Sequence, residues 1–202
     1  LKKILELKKA RELFTNKEFK QIILNIFPQF KYYERLEIIE KLDQKLRDKF
    51  DTNLILALLI LDKSDNYEYF CHKYKTSNII KKRFKNISKN FENLKSKKFY
   101  LEENIKRLVY FTNKDDVSDL LLFSVCLNNT VSISKKNELL NYVAVCKIPK
   151  FPISGDYLKK YGHESGKELG RKLKLLEEKW IKNNFVLDKK LLDKSLYKIS
   201  RN

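Results

Sequence analysis

Apolar residues recur along most of this chain at spacings of three and four, which is the period of an α-helix. The clearest run has spacings of four, three, four and three, and consists of Ile80, Phe84, Ile87, Phe91 and Leu94. A β-rich protein needs turns every several residues, whereas this chain has only 4 Gly and 3 Pro. The pattern therefore predicts an all-α fold, an irregular array of about ten to twelve helices with no sheet.

Capping residues and chain breaks give the predicted helices their bounds. They are 1–14, a segment from Thr15 or Asn16 through Phe27, Lys31–Phe50, Asn53–Leu61, Asp65–Tyr74, Asn78–Leu94, Leu101–Thr112, Asp115–Asn128, Ser134–Lys147, Gly155–Tyr161, Gly166–Trp180 and Lys189–Ile199. The helix Asn53–Leu61 is apolar on every side, and Asp115–Asn128 contains the run Leu120-Leu121-Leu122-Phe123. We therefore expect both to lie deep inside a larger body. Asn128-Asn129 is expected to turn the chain.

All four glycines of the chain fall between residues 150 and 184, just after two of its three prolines. This Pro/Gly-rich step is the one plausible hinge in a sequence without other linkers. It divides the chain into a helical body, residues 1–148, and a tail, residues 149–202. In the tail, Ser154 is expected to cap a short helix that Gly162 stops.

The long tail helix carries two opposed faces at about 100° per residue. Its apolar face consists of Leu169, Leu173, Leu176 and Trp180, and its basic face of Lys167, Arg171 and Lys174. A helix N-terminus and a row of Lys and Arg both suit phosphate. Gly170 is expected to bring its backbone close to a neighbour. The alternative is that the glycines only let two helices pack closely.

The chain is strongly basic, with 44 Lys+Arg against 26 Asp+Glu and a net charge of +18. Such a surplus makes nucleic acid the first partner to consider and an anionic membrane surface the second. Residues 73–98 hold ten Lys/Arg and one acid, a net charge of +9. Within this window Lys82, Lys85 and Lys89 oppose the core stripe. The alternative is a solvated lysine face that reflects compositional bias.

The common catalytic motifs are missing from the sequence: it has no P-loop, no G-x-S-x-G, no H-E-x-x-H and no Cys/His cluster. Asp115 and Asp116 are interpreted as first-turn acids that complement a helix dipole. The 3 cysteines are far apart, which predicts a reducing, cytoplasmic location. The longest apolar run, residues 54–61, is far shorter than the roughly 18 residues of a membrane span. We therefore expect no catalytic residue, no metal site and no membrane partner.

One stretch of the tail carries a family resemblance. Its residues are Phe151-Pro152-Ile153-Ser154-Gly155-Asp156, Gly162, Gly166, Leu169-Gly170-Arg171, Leu173, Leu176-Glu177 and Trp180. This pattern resembles the C-terminal region of bacterial tRNA nucleotidyltransferases, the family of CCA-adding enzymes and poly(A) polymerases. The sequence departs from the family at Ser165-Gly166-Lys167, where a Gly-Pro-type helix start is usual.

The resemblance implies a body and tail without a catalytic head, with a remnant of the neck at the start of the chain. In the family, a paired-aspartate motif in an N-terminal domain binds two metal ions, and an adjacent segment selects CTP or ATP. Neither that motif nor a strand to hold it is evident here. Magnesium and CTP or ATP would therefore belong to the missing head, encoded separately or lost by truncation or excision. The choice between CCA and poly(A) addition would belong there too.

On this interpretation the chain holds tRNA by backbone and shape while the head adds nucleotides. The residues predicted to contact RNA are Lys75, Lys82, Lys85, Lys89, Lys159, Lys160, Lys167, Arg171 and Lys174. The chain alone is expected to be inactive. The alternative is a free-standing helical interaction protein without an RNA role.

Overall fold

The computed structural model describes residue 14 and the ranges 16–127 and 130–187. These residues form eleven α-helices and no strand, which confirms the all-α prediction. The helices are α1 Lys17–Ile26, α2 Arg35–Glu40, α3 Gln44–Arg47, α4 Thr52–Ile60, α5 Asn66–Lys73, α6 Asn78–Asn90, α7 Glu102–Phe111, α8 Lys114–Val125, α9 Ile133–Val145, α10 Gly155–Lys159 and α11 Lys167–Lys182. The predicted helices 1–14, apart from Phe14, and Lys189–Ile199, and the predicted turn at residues 128–129, lie outside the described residues.

The chain divides into two compact units, Leu1–Cys146 and Lys147–Asn202. The first contains α1 to α9, and the second contains α10 and α11. Each unit has a hydrophobic cluster of its own, so each is described by itself below.

The first unit is built around α4 and α8. Every residue of α4 from Leu54 to Ile60 is buried, and α8 packs against α4, α6, α7 and α9. Both helices bury side chains all round, so other helices must cover them on several sides. The structure thus confirms that the two most apolar segments lie at the centre of this unit.

Local side chains satisfy the N-terminal ends of these two helices. Asp51 Oδ1 accepts a hydrogen bond of 2.7 Å from the backbone N–H of Leu54 at the start of α4. Asn113 Oδ1 accepts one of 2.8 Å from the backbone N–H of Asp116 at the start of α8. These are ordinary N-caps, and each satisfies a backbone donor that has no partner within its helix.

Buried cations from elsewhere in the chain satisfy the C-terminal ends. Arg35 Nη1 donates to the carbonyl oxygens of Leu58 and Leu61, at 2.9 and 2.7 Å, where α4 ends. Lys136 Nζ donates to the carbonyl oxygen of Ser124 at 2.8 Å, where α8 ends. A positive charge at a helix C-terminus also complements the helix dipole.

Arg83 on α6 forms ion pairs with both central helices. Its Nη1 contacts Asp51, the N-cap of α4, at 2.6 Å, and its Nη2 contacts Asp119 of α8 at 2.5 Å. Its Nε also donates to Asp119. Burial lowers the pKa of Arg83, but the hydrogen bonds to Asp119 and Asp51 outweigh that effect and raise the pKa.

The prediction of one long helix over Lys31–Phe50 is wrong. The structure has two short helices, α2 and α3, with a break at residues 41–43. Asp43 starts α3 as its N-cap, accepting from the backbone N–H of Leu46 at 2.9 Å. Arg47 Nη2 donates to the carbonyl oxygens of Glu40 and Leu42, at 2.6 and 2.8 Å, so the backbone groups at the break have partners.

The predicted bounds of α6 also differ from the structure at its C-terminal end. The helix ends at Asn90 rather than Leu94, and the chain continues through 3-10 turns at Asn93–Lys95 and Lys97–Tyr100. Phe91 and Leu94 are nevertheless buried, because the 3-10 turn keeps them on the core side.

Replacing Arg83 should destabilise the first unit. Arg83→Met keeps much of the side-chain volume but leaves Asp119, which is mostly buried, without its cation. We expect the free energy of unfolding to fall by about 1–3 kcal/mol, the cost of a buried polar group that has lost its partner. Urea denaturation followed by circular dichroism measures this. Lys82→Met is the matched control, because Lys82 is its exposed neighbour and should change stability by less than about 0.5 kcal/mol.

Candidate nucleic-acid interface

Helix α6 has the two opposed faces that its sequence predicts. The Ser77 side chain caps its start. Ile80, Phe84 and Ile87 are buried in the core of the first unit. The predicted RNA contacts Lys82, Lys85 and Lys89 are all exposed on the same helix. Lys75 is also exposed, in the turn before α6, where its backbone has a φ of 49°.

The surroundings of Lys82 are acidic, which the sequence did not reveal. Lys82 lines an open cleft of about 560 Å³ together with two other cations, Lys49 and Arg83, and four aspartates. The aspartates are Asp51, Asp115, Asp116 and Asp119. As predicted, Asp115 and Asp116 lie in the first turn of α8. Arg83 binds Asp51 and Asp119, whereas Asp115 and Asp116 form no ion pair with a described residue, so their charges weaken the positive potential of this cleft.

Lys85 and Lys89 do not line the acidic cleft. Neither side chain forms an ion pair with a residue that the structure describes. Arg83, by contrast, is held by two carboxylates, and Lys95 contacts Glu92 at 3.0 Å. Of the basic residues on α6, Lys85 and Lys89 are therefore the better placed to meet a phosphate.

In the second unit, α10 and α11 pack together over a small apolar cluster. Ser154 Oγ accepts from the backbone N–H of Tyr157 at 3.2 Å and caps α10, as predicted. Leu169 and Leu176 are buried in the cluster. The ring of Trp180 lies with its centroid 5.3 Å from that of Phe151.

The opposite face of α11 is basic and open to solvent. Lys167, Arg171 and Lys174 are all exposed. Arg171 Nη1 contacts Glu168 Oε1 at 2.8 Å, but both side chains are largely exposed, so this pair contributes little and leaves Arg171 available. On α10 and just after it, Lys159 and Lys160 are exposed, and Lys159 contacts Asp156 at 3.2 Å.

A contact between His163 and Lys172 ties the turn before α11 to the helix. The Nε2 of His163 lies 2.8 Å from the Nζ of Lys172. Burial and then the charge of Lys172 lower the pKa of His163, so the neutral ring accepts a hydrogen bond from the ammonium group. No sequence signal pointed to this pair, since the two residues are nine positions apart across a glycine-rich turn.

The expectation that Gly170 brings its backbone close to a neighbour is wrong. A Cβ atom built at Gly170 has no described atom within 4 Å apart from its own helix backbone. Gly155 is the glycine that packs, since a Cβ there would lie 3.5 Å from Leu169 Cδ2. Gly162 has a φ of 83°, so it serves the turn that ends α10. Gly170 itself lies in the exposed row with Lys167 and Lys174, three and four residues away.

The structure thus places the nine predicted contact residues on exposed surfaces of the two units. That they contact RNA stays a prediction. Among the described residues, no three of His, Cys, Asp and Glu are grouped as metal ligands. No helix in the described part of the chain is long and apolar enough to cross a membrane.

No protein-family model matches the chain. Three curated proteins named CCA tRNA nucleotidyltransferase 1, mitochondrial, are similar to one segment of it. The protein from Danio rerio is 41% identical over 54 residues. That from Homo sapiens is 41% identical over 51 residues, and that from Mus musculus is 39% identical over 54 residues.

The similar segment covers 25–27% of this chain but only 12% of each relative. This local similarity supports a relation to the CCA tRNA nucleotidyltransferases. The likeness to bacterial members and to their C-terminal region stays a prediction. So does a cytoplasmic location, since the names of the relatives place those proteins in mitochondria.

Because the space around Gly170 is open, a larger residue there should not destabilise the protein. Gly170→Ala should raise the free energy of unfolding by up to about 1 kcal/mol, because alanine favours a helix more than glycine and nothing crowds the new Cβ. Thermal denaturation measures the change. Gly162→Ala is the contrasting variant, and should lower stability by about 1–2 kcal/mol because of its positive φ. A Gly170→Ala variant that is less stable than the parent contradicts the open surroundings of this residue.

Proposed function

We propose that this chain is the RNA-holding, C-terminal portion of a CCA tRNA nucleotidyltransferase or poly(A) polymerase. In this role it binds tRNA and positions the 3′ end for nucleotide addition by a catalytic head that is not part of the described residues. The observation that carries the proposal is the local similarity to CCA tRNA nucleotidyltransferases, 41% identity over 54 residues.

The charge distribution supports tRNA as the partner. The chain has a net charge of +18, and both units present basic helix faces opposite their apolar faces. Lysines on such a face neutralise backbone phosphates without reading sequence, which suits a protein that holds a folded RNA by shape. We assign the main contacts to Lys85 and Lys89 of α6 and to Lys167, Arg171 and Lys174 of α11.

The alternative, a helical interaction protein without an RNA role, has one observation in its favour. Phe19, Ile22 and Ile26 are spaced by three and four residues on α1, and each is more than half exposed, at 52%, 54% and 56%. Exposed apolar residues on one helix face are typical of protein contacts. This alternative predicts no saturable tRNA binding.

The salt dependence of tRNA binding tests the role of α6. The logarithm of affinity should fall linearly with the logarithm of salt concentration, with a slope of about −0.9 per duplex phosphate contacted. Lys85→Gln with Lys89→Gln should make the slope about 2 units less steep. Lys82→Gln should change it less, because Lys82 shares its cleft with Asp115 and Asp116. Fluorescence anisotropy with labelled tRNA at several salt concentrations measures the slopes.

The matched control is Lys41→Gln with Lys45→Gln. It removes the same charge from exposed positions outside the predicted contacts. If this pair reduces the slope as much as the α6 pair does, the effect is one of net charge. If neither pair changes the slope, Lys85 and Lys89 face solvent without contacting tRNA, and the proposed contact of α6 with tRNA is wrong.

The chain alone should add no nucleotide to tRNA when it is supplied with CTP, ATP and magnesium. Two-metal phosphoryl transfer needs carboxylates that together hold the ions, and the described residues contain no group of three or more His, Cys, Asp and Glu that could hold a metal ion. Incorporation of labelled nucleotide into tRNA measures this, with an intact CCA-adding enzyme as the positive control. Incorporation by purified chain, free of host enzyme, would contradict the proposal that this chain binds tRNA while a separate head adds the nucleotides.

A further inference from the structure

Two buried cations face the same cleft of the first unit. The cleft lies where α8 ends and α9 begins, beside α2, and has a volume of about 610 Å³. Arg35 and Lys136 both line it, although only 8% and 2% of their surfaces are exposed. Five of the other eight lining residues are apolar, namely Ile38, Val125, Leu127, Val131 and Ile133, and the remaining three are Glu34, Cys126 and Ser132. Cations at the base of a partly apolar recess differ from the lysines of an open helix face.

Neither cation has a carboxylate partner among the described residues. The hydrogen bonds of their side chains go to backbone carbonyl oxygens, those of Leu58, Leu61 and Ser124. Glu34 and Asp62 act on Arg35 through their charge, but neither forms an ion pair with it. The charge of Arg83, by contrast, is neutralised by two aspartates that bind it.

Both side chains keep donors for a ligand. Arg35 uses only Nη1 for its two described hydrogen bonds. Its Nε and Nη2 form one edge of the guanidinium group, have no described partner, and are not sealed from solvent. Tyr32 stacks on the guanidinium plane, with the Cζ atom 3.9 Å from the ring centroid, and so fixes the orientation of that edge. An ammonium group has three donors, and Lys136 uses one of them for Ser124.

The lack of a carboxylate partner for Lys136 among the described residues lowers the stability of the folded protein. Burial lowers the pKa of Lys136 from 10.5 to about 8. The folded protein therefore holds this proton less tightly than the unfolded chain does, so the charge costs stability at neutral pH. An anion bound in the cleft would offset that cost and raise the pKa again.

We propose that this cleft binds a small organic phosphate monoester, with Arg35 and Lys136 contacting the phosphate group. The free edge of Arg35 suits two phosphate oxygens, and Lys136 supplies a point charge. The apolar walls accept the organic part of the ligand. The depth of both cations favours a small molecule over the convex backbone of a duplex RNA. This site is separate from the proposed tRNA contacts and does not depend on them.

Ligand binding to the full chain tests the proposal, with AMP as the probe. AMP should raise the melting temperature in a saturable way at constant ionic strength, because it binds only the folded state. Adenosine, which lacks the phosphate, should give no such shift. Lys136→Met keeps the aliphatic stem and should weaken AMP binding about tenfold or more, as measured by calorimetry. Lys135→Met is the matched control on the same helix and should leave the affinity unchanged.

A second measurement uses the unmodified chain, in case Lys136→Met does not fold. Formaldehyde is a small aldehyde without a phosphate group, so it probes the amine of Lys136 when the cleft is empty. The neutral amine of Lys136 should condense with formaldehyde and release water, and borohydride should then reduce the imine to a methylated amine. Peptide mapping should show that AMP slows the modification of Lys136 and leaves that of Lys135 unchanged.

These results separate a ligand site from a structural role. Arg35 and Lys136 act only as caps of α4 and α8 if AMP causes no saturable shift and does not slow the modification of Lys136 by formaldehyde. The proposal is also wrong if adenosine stabilises the protein as well as AMP does. Loss of AMP binding in Lys136→Met, with tRNA binding intact, would establish a site independent of the RNA-holding role.

Discussion

A helix that is buried on most sides needs hydrogen-bond partners other than water for the backbone groups at its ends. In the first unit, both α4 and α8 have such partners at both ends. The N-terminal partners, Asp51 and Asn113, are neighbours in sequence. The C-terminal partners come from further away: Arg35 lies 23 residues before Leu58, and Lys136 lies 12 residues after Ser124. These two contacts connect α2 to the end of α4 and α9 to the end of α8, in addition to the apolar side chains that α2 and α9 bury.

The sequence predicted what depends on local pattern. Ser154 caps a helix as expected, and so does Asn16, one of two candidates for its helix, because a side-chain oxygen at the N-cap bonds to backbone only two or three residues away. The sequence did not predict the break between α2 and α3. The apolar residues on either side of that break are all buried: Leu36, Ile39, Leu46 and Phe50. Their spacing in the sequence is therefore that of one helix, although the backbone forms two.

The chemistry of individual cations was beyond the reach of sequence patterns. The count of ten Lys/Arg between residues 73 and 98 treats them all alike. The fold sorts the cations of the chain into kinds: Arg83 is bound by two carboxylates, Lys85 is exposed, and Lys136 is buried against a carbonyl. Which of these a residue becomes depends on long-range packing, since the carboxylates of Asp51 and Asp119 lie 32 and 36 positions from Arg83. Only the exposed kind adds directly to the positive potential that a nucleic acid meets.

Gly170 lies inside α11, and no described residue packs closely enough against it to explain a glycine there. A glycine inside a helix lowers stability by about 1 kcal/mol relative to alanine, and close packing is the usual reason to tolerate it. The described part of the protein offers no such packing, because the space around Gly170 is open. The residue lies instead within the exposed row that Lys167, Arg171 and Lys174 form. A gap in the side-chain layer there lets an outside partner approach the helix backbone between three cations. Under the proposed tRNA-binding role, this gap would give an RNA phosphate a less hindered approach to Lys167, Arg171 and Lys174 than a continuous layer of long side chains would.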